Sequence, residues 1–341
     1  MKKVVTFGEI MLRLKPPENQ RIIQTESFSG LYGGAEANVA TSLAILGDQV
    51  QFVSKVPDNS VGQAAIGTLR RYGVDVAAIH QGGPRLGIYF FEKGASVRNT
   101  SVVYDRSNSS FATAKADEFD WSAILQTADY FYFSGITPAV SPEMFTAVLT
   151  ACQYSAEHGI KVVCDLNYRG KMWSQAAAQT AMSQLMPYVN ICLANDEDFE
   201  ASLGIKAFDG DMSRGIEQKA EFINGMKAIT SNYPNCQTVA SVLRNIKSVE
   251  DSEWMALMVD HGHVFETPIY KMHVWEGVAS GDAFGAGLIH GLLHNFDEQA
   301  RIDYAIAASV LKLTISGDLN LVTDSEIRAV MDKQNNMRVL R

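Results

Sequence analysis

The chain has 341 residues, 47% hydrophobic and 20% charged, enough for one large α/β unit with an appendage. A net charge of −9 argues against general binding to nucleic acid or an anionic membrane, while leaving room for a small acidic ligand held by local cations and amides. No apolar run approaches the ~20 residues of a membrane span, and the four cysteines form no CxxC pair, so the expectation is a cytoplasmic protein with buried free thiols.

In chain order, VVTFG (4–8) reads as a short strand ending in glycine. AEANVATSLAILG (35–47) reads as a helix stopped by Gly47, VQFVSKV (50–56) as a strand, and VGQAAIGTLRRYG (61–73) as a helix with a cationic last turn. Ser141-Pro142-Glu143 supplies an N-cap, a first-turn proline and a first-turn acid for a helix running to His158. Strand KVVCDLN (161–167), a helix near 174–186, strand NICLAN (190–195) and strand TVASVLR (238–244) continue the rhythm. Repeated βα units with apolar, β-branched strands predict a parallel sheet covered by helices on both faces.

Two segments break that rhythm. Residues 10–34 contain a double proline and no helical period, and residues 86–106 are two alternating runs joined around Gly94. Together they predict a small antiparallel sheet projecting from the core as a lid, with one face left to cover a ligand or a second subunit. Residues 253–274 read as a hairpin-like pair on the antiparallel edge of the main sheet.

Ligands of parallel α/β sheets bind beyond the carboxyl ends of the strands, which directs attention to Asp165-Leu166-Asn167, Asn195 and Arg244. Gly33-Gly34-Ala35-Glu36-Ala37-Asn38 runs straight into a helix; it fits either a sugar-binding turn or a locally capped one. Tyr104 and Arg106 fall on one strand face opposite LGIYFFE with Tyr89, as a carboxylate-binding pair or a surface ion pair. DLNYRGKMW (165–173) gathers Asp165, Asn167, Arg169 and Lys171 at a strand end. Asn195-Asp196-Glu197-Asp198 opens a helix, where acids serve the helix dipole or support a hydrated Mg²⁺. In VASGDAFGAG (278–287), Asp282 is either an N-cap or a general base beside amides that stabilise phosphoryl charge. His290 with His294 and His261 with His263 lack the glutamate of HExxH and read as solvated or packed histidines rather than zinc ligands.

Taken together, Gly33–Gly47 and SGDAFGAG (280–287) resemble the two signatures of the ribokinase-like (PfkB) sugar kinase family, in the right order and separation. GEIMLRL, YGGAEANVA, RLGIYFFEKGASVRN, VVYDRSNS, DLNYRGKMW and SGDLNLVT look like its 2-keto-3-deoxygluconate kinase subgroup. The resemblance implies an α/β fold, a ribokinase-like three-layer sandwich with a mostly parallel sheet and a small antiparallel β lid. Its core would span 1–12, 36–84 and 111–341, and its lid 13–35 and 85–110. It implies an ATP- and Mg²⁺-dependent kinase acting on a sugar acid, and a homodimer formed through the lid.

Carried onto this sequence, Gly34, Asn38, Tyr89, Tyr104 and Asp318 would contact the sugar, and Arg106 and Arg169 its carboxylate. Asn167, Asn195, Arg244 and Ser248 would line the ATP side. Ala279, Ser280, Gly281 and Asp282 would form the anion hole, with Asp282 as base, and Asp198 and Glu276 would support the metal from its outer sphere. The sequence departs from the family pattern at three places: Glu276 for aspartate, Ala279 for glycine and Asp198 for glutamate. These departures leave open a kinase of another hexose or sugar acid, or a binding protein with impaired catalysis.

Overall fold

The computed structural model describes residues 2–332; residues 1 and 333–341 of the expected core lie outside them. The first elements are β1 (Lys3–Phe7), β2 (Met11–Lys15), β3 (Ser29–Gly33), α1 (Ala35–Ile45), β4 (Gln49–Val56), α2 (Ser60–Arg71), β5 (Ile79–Gln81), β6 (Gly87–Glu92) and β7 (Ser101–Asp105). Next come α3 (Trp121–Ile124), β8 (Tyr130–Ser134), α4 (Ile136–Val140), α5 (Pro142–Glu157), β9 (Lys161–Asp165), α6 (Gln175–Leu185), β10 (Ile191–Leu193), α7 (Asp198–Leu203) and α8 (Lys219–Asn232). The chain closes with β11 (Thr238–Ile246), β12 (Asp251–Asp260), β13 (His263–Glu266), β14 (Tyr270–His273), α9 (Ser280–Leu293), α10 (Glu298–Lys312) and α11 (Asp324–Met331).

The main sheet runs β13-β12-β11-β10-β9-β8-β1-β4-β5, with β14 also on β12. From β11 to β5 every pairing is parallel, and β12, β13 and β14 form the expected antiparallel edge. Successive side chains of a strand point to opposite faces, and the central strands divide accordingly. Val5 and Phe7 of β1, Phe131 and Phe133 of β8, and Val162 and Cys164 of β9 join one apolar cluster; Val4, Tyr132 and Val163 join the other. The first is closed by α5, α6 and α8 through Met144, Val148, Met182, Leu185, Phe222 and Met226. The second is closed by α1, α2, α9 and α10 through Val39, Leu43, Ile66, Leu69, Phe284, Leu288, Ile302 and Ile306. Each such side chain contributes about 1.5–3 kcal/mol by leaving water, and the result is three layers.

Helix α9 carries four glycines, of which Gly285, Gly287 and Gly291 lie past its first turn, where propensity alone would disfavour them. Packing accounts for Gly287: a Cβ there would lie 2.9 Å from Ala305 Cα of α10. The cysteines are free and buried.

The separate small sheet is present, in the order β3-β2-β6-β7. Its β2–β3 and β6–β7 pairings are antiparallel, but β2–β6 is parallel, so the sheet is mixed where a wholly antiparallel one was expected. The reason is topological. β1 and β5 run parallel in the main sheet, and the strands that follow them leave it in the same direction. β2 also begins at Met11, two residues before the expected start of the lid at residue 13.

Candidate active site

The carboxyl ends of β1, β9, β10 and β11 open on one cleft of about 1810 Å³, reached by Glu9, Asp165, Asn195 and Arg244 respectively. Pockets for one small ligand typically measure ~300–1,000 Å³, so this cleft has room for two. The small sheet forms a further wall through Met11, Tyr89, Phe91, Val102 and Tyr104, and Lys171 Nζ reaches across to Val102 O at 3.3 Å.

At the floor lies the loop leading into α9. The helix's N-cap is Ala279, and the amide of Ala283 makes the first bond back, to Ala279 O at 3.0 Å. The amides of Ser280, Gly281 and Asp282 precede that bond and sit at the positive end of the helix dipole, an arrangement suited to an anion. A Cβ on Gly281 would meet nothing within 4 Å, so the space there belongs to the cleft rather than to packing. Asp282 does not cap the helix. Its Oδ2 accepts from Asn38 Nδ2 at 2.7 Å, and it is buried. Burial lifts its pKa to about 7; the Asn38 hydrogen bond and Arg169 oppose the rise, whereas Glu36 and Asp318 add to it.

Ala279 takes φ 58° and ψ 17°, the left-handed conformation that glycine adopts at no steric cost. For alanine this costs about 1–2 kcal/mol. Ala279→Gly should therefore raise stability by up to ~1 kcal/mol in denaturant unfolding, strain relief being partly offset by glycine's entropy cost. Its kcat should stay at or above wild type, because the loop offers amides and not side chains. A tenfold drop would show that the methyl itself is required.

On the sugar side, Gly34 and Asn38 line the cleft as expected. A Cβ on Gly34 would come within 2.0 Å of Glu9 O, so the β3–α1 turn can approach the end of β1 only as glycine. Tyr89 Oη donates to Asp318 Oδ1 at 2.6 Å, and Tyr104 packs 5.9 Å from Tyr89 while remaining 42% exposed toward the cleft. The two arginines differ. Arg106 Nε and Nη2 both donate to Glu9 Oε2, so most of its charge is already matched. Arg169 is exposed, and its hydrogen bond within the described residues is Nη1 to Tyr168 O at 3.1 Å, which leaves the guanidinium able to meet a ligand carboxylate.

On the opposite side Asn167, Asn195 and Arg244 line the cleft, with Arg244 paired to Asp196 and 5.3 Å above the Trp254 ring. Asn167 and Asp196 both hold positive φ, at 40° and 38°. Asp198 accepts amide bonds from Tyr168 at 2.7 Å and Asn195 at 2.9 Å; burial lifts its pKa to about 6. Asp165 Oδ1 is buried with no hydrogen-bond partner among the described residues, while Oδ2 accepts from Asn167 Nδ2. An orphaned carboxylate oxygen beside a second buried carboxylate fits a hydrated Mg²⁺, which favours oxygen ligands and retained waters.

Two expected site residues lie elsewhere. Ser248 sits in the β11–β12 turn, where its Oγ accepts from the Asp251 amide at 2.9 Å, and it is not on the cleft wall. Glu276 does not support a metal: it is fully buried, and its oxygens are taken by Arg13 (2.5 Å), Lys15 and the Gly317 amide (2.9 Å). Burial alone would raise its pKa, but Arg13 and Lys15 hold it below the usual carboxylate range.

Three residues that the sequence reading passed over belong to this region. Arg13, fully buried, bridges Glu276 and Asp318 (3.0 Å) and lies 4.0 Å over Phe91. Glu9 positions Arg106 and accepts from Ser109 Oγ at 2.5 Å. Lys312 is fully buried behind the loop, with Nζ on Ile315 O at 3.0 Å; burial lowers its pKa to about 8. The strand-end rule that found Asp165 could have found Glu9, two residues past the end of β1. Nothing local marks the partners of Arg13, which come from distant segments, or the burial of Lys312.

The family model for pfkB family carbohydrate kinases matches residues 1–232. The chain is 42% identical to the crystal structure of 2-dehydro-3-deoxygluconokinase from Thermotoga maritima, with a TM-score of 0.92, covering 97% of this chain and 98% of that one. It is 33% identical over 330 residues to a 2-dehydro-3-deoxygalactonokinase of Haloferax volcanii, covering 96% of each. A fructokinase from Xylella fastidiosa solved with bound ATP shares the fold, at 18% identity and a TM-score of 0.76, covering 98% and 99%.

Proposed function

The chain belongs to the pfkB family of carbohydrate kinases, and from that premise we propose that it transfers the γ-phosphoryl group of ATP to the terminal hydroxyl of 2-keto-3-deoxygluconate, another name for 2-dehydro-3-deoxygluconate. One observation carries the reading: a buried carboxylate, Asp282, stands at an anion loop in the same cleft as the accessible guanidinium of Arg169. Sugar acids named for the two relatives, the glucono and galactono forms, carry a carboxylate at one end and a primary hydroxyl at the other.

In this reading Arg169, with Arg106 shared between ligand and Glu9, binds the carboxylate. Tyr89, Tyr104, Gly34 and Asp318 hold the chain of the sugar, which sets its far hydroxyl at Asp282. Asn38 orients Asp282, which takes the hydroxyl proton as the oxygen attacks. The amides of residues 279–282 face the charge that develops on the transferring group. ATP lies along Asn167, Asn195 and Arg244. Asp165 and Asp198 would hold Mg²⁺, which when bound offsets phosphate charge. Residues 13–35 and 85–110 act as the lid. Exposed Leu31 and Val103 on the small sheet favour a homodimer through it, and the site of action is the cytoplasm.

The test is ADP release measured over 2-keto-3-deoxygluconate, its galacto epimer and neutral hexoses, in wild type and in Arg169→Ala and Arg106→Ala. Arg169→Ala should raise KM for the sugar acid by about 10–100-fold, the 1.5–3 kcal/mol of a hydrogen bond to a charged group. Arg106→Ala should cost less in binding, because Glu9 already competes for it. A neutral hexose turned over as well as the acids, with KM indifferent to Arg169, would overturn the substrate assignment.

A further inference from the structure

Metal-ligating side chains also gather at the far end of the helix that bears Asp282. His290 and His294 project from one face of α9, four residues apart, and the turn after α1 inserts Asp48 between them. Asp48 Oδ2 meets His290 Nδ1 at 2.7 Å, and Oδ1 meets His294 Nε2 at 2.9 Å. One ligand atom from each residue lies within 4.8 Å of the other two. The side chains of Asp48 and His290 are both 4% exposed, whereas that of His294 is 51% exposed. Two donors are thus fixed by packing, and the third opens a path for an ion and for water.

The surroundings are those of an oriented imidazole ligand. The His290 ring stacks on Tyr304 at 5.0 Å and 19°, and its second nitrogen, Nε2, faces Asp324 Oδ1 at 3.7 Å. Asp324 is held in turn by Tyr304 Oη at 2.9 Å and Arg328 Nε at 2.8 Å. A carboxylate behind a ligating histidine sets its tautomer and raises its basicity. Because HGLLH lacks the glutamate of a hydrolytic zinc helix, the arrangement supplies ligands without a general base.

We propose that Asp48, His290 and His294 bind a divalent first-row transition ion of the Zn²⁺ type, with water as the fourth ligand of a tetrahedron. Two imidazole nitrogens and one carboxylate oxygen suit such an ion and not Mg²⁺, which seeks six oxygens, so this site is separate from any cation that accompanies the nucleotide. The imidazoles bind as neutral rings. Their protons move to the outward nitrogens, that of His290 on the side of Asp324. The ion ties the turn after α1 to the C-terminal end of α9 and so braces the helix whose first turn carries Asp282.

Co²⁺ titration of the chelator-stripped full chain, followed by visible absorption, tests this. The expected result is a single equivalent with a strong tetrahedral d–d band, displaced by Zn²⁺ but not by excess Mg²⁺. His294→Ala, at a half-exposed position where folding tolerates the change, should lose the band and weaken binding by more than the ~10–100-fold that loss of a supporting group costs a metal site. Thermal melting of the metal-free variant should match that of metal-free wild type. Absence of the band in wild type, or a band unchanged in His294→Ala, would overturn the proposal.

Discussion

Asp282→Asn is expected to lower kcat by about 10²–10⁴-fold, the usual contribution of a positioned general base, while KM for the sugar acid changes only a few-fold. The substitution keeps an oxygen for the 2.7 Å contact with Asn38 Nδ2 and adds no volume, so what it removes is the capacity to take a proton. Burial has raised the Asp282 carboxyl to about 7, close to the working pH at which a base is most effective. The sign follows directly. The base works deprotonated, so kcat/KM for the wild type should fall about tenfold per pH unit below about 7 and level off above it. The substituted enzyme should lack that acid limb. Residual activity would come from the anion loop, which the change leaves intact. Retention of more than ~10% of kcat would place the base elsewhere.

Much of this fold was legible in the sequence, because its signals are local. β-branched strands ending in glycine, helices opened by Ser141-Pro142 and a hairpin turn at His261-Gly262 each declare themselves within a few residues. The alternation that predicted a lid was equally local. How its two halves join was not, since the parallel β2–β6 pairing depends on where the main sheet releases each strand. The active site divides in the same way. Asp282, Asn38, Gly34 and the strand-end polar groups occupy positions that the βα pattern marks. Arg13 was illegible: in MLRLK it looks like an exposed residue of an alternating strand, and only the loops at 276 and 317–318 supply its counter-charges. Glu276 misled for the same reason. Its place in the loop suggested metal support, but its carboxylate belongs to a structural network.

That network sets the second large expectation, for Arg13→Met. The substitution keeps much of the volume over Phe91 but removes the cation that faces Glu276 and Asp318. Removing one partner of a buried ion pair typically costs about 3–5 kcal/mol, because the remaining charge is left in a poor solvent. The loss should register as a lower urea midpoint, and it is large against the ~5–15 kcal/mol that holds a typical protein folded. Lys15 still reaches Glu276 and Tyr89 still donates to Asp318, which argues for the lower part of that range. The pH dependence identifies the cause. In the wild type the depressed Glu276 carboxyl contributes stability that is present above its unfolded pKa and lost as pH falls. Without Arg13 that contribution shrinks or reverses, so the gap between variant and wild type should close from pH 7 toward pH 4. A gap that stays constant over that range would point to lost packing instead. Because Glu276 opens the loop that ends at Asp282, and Asp318 faces the cleft, kcat/KM should fall as well. Adding Glu276→Gln to Arg13→Met should recover part of the stability, since it withdraws the charge that Arg13 was there to meet.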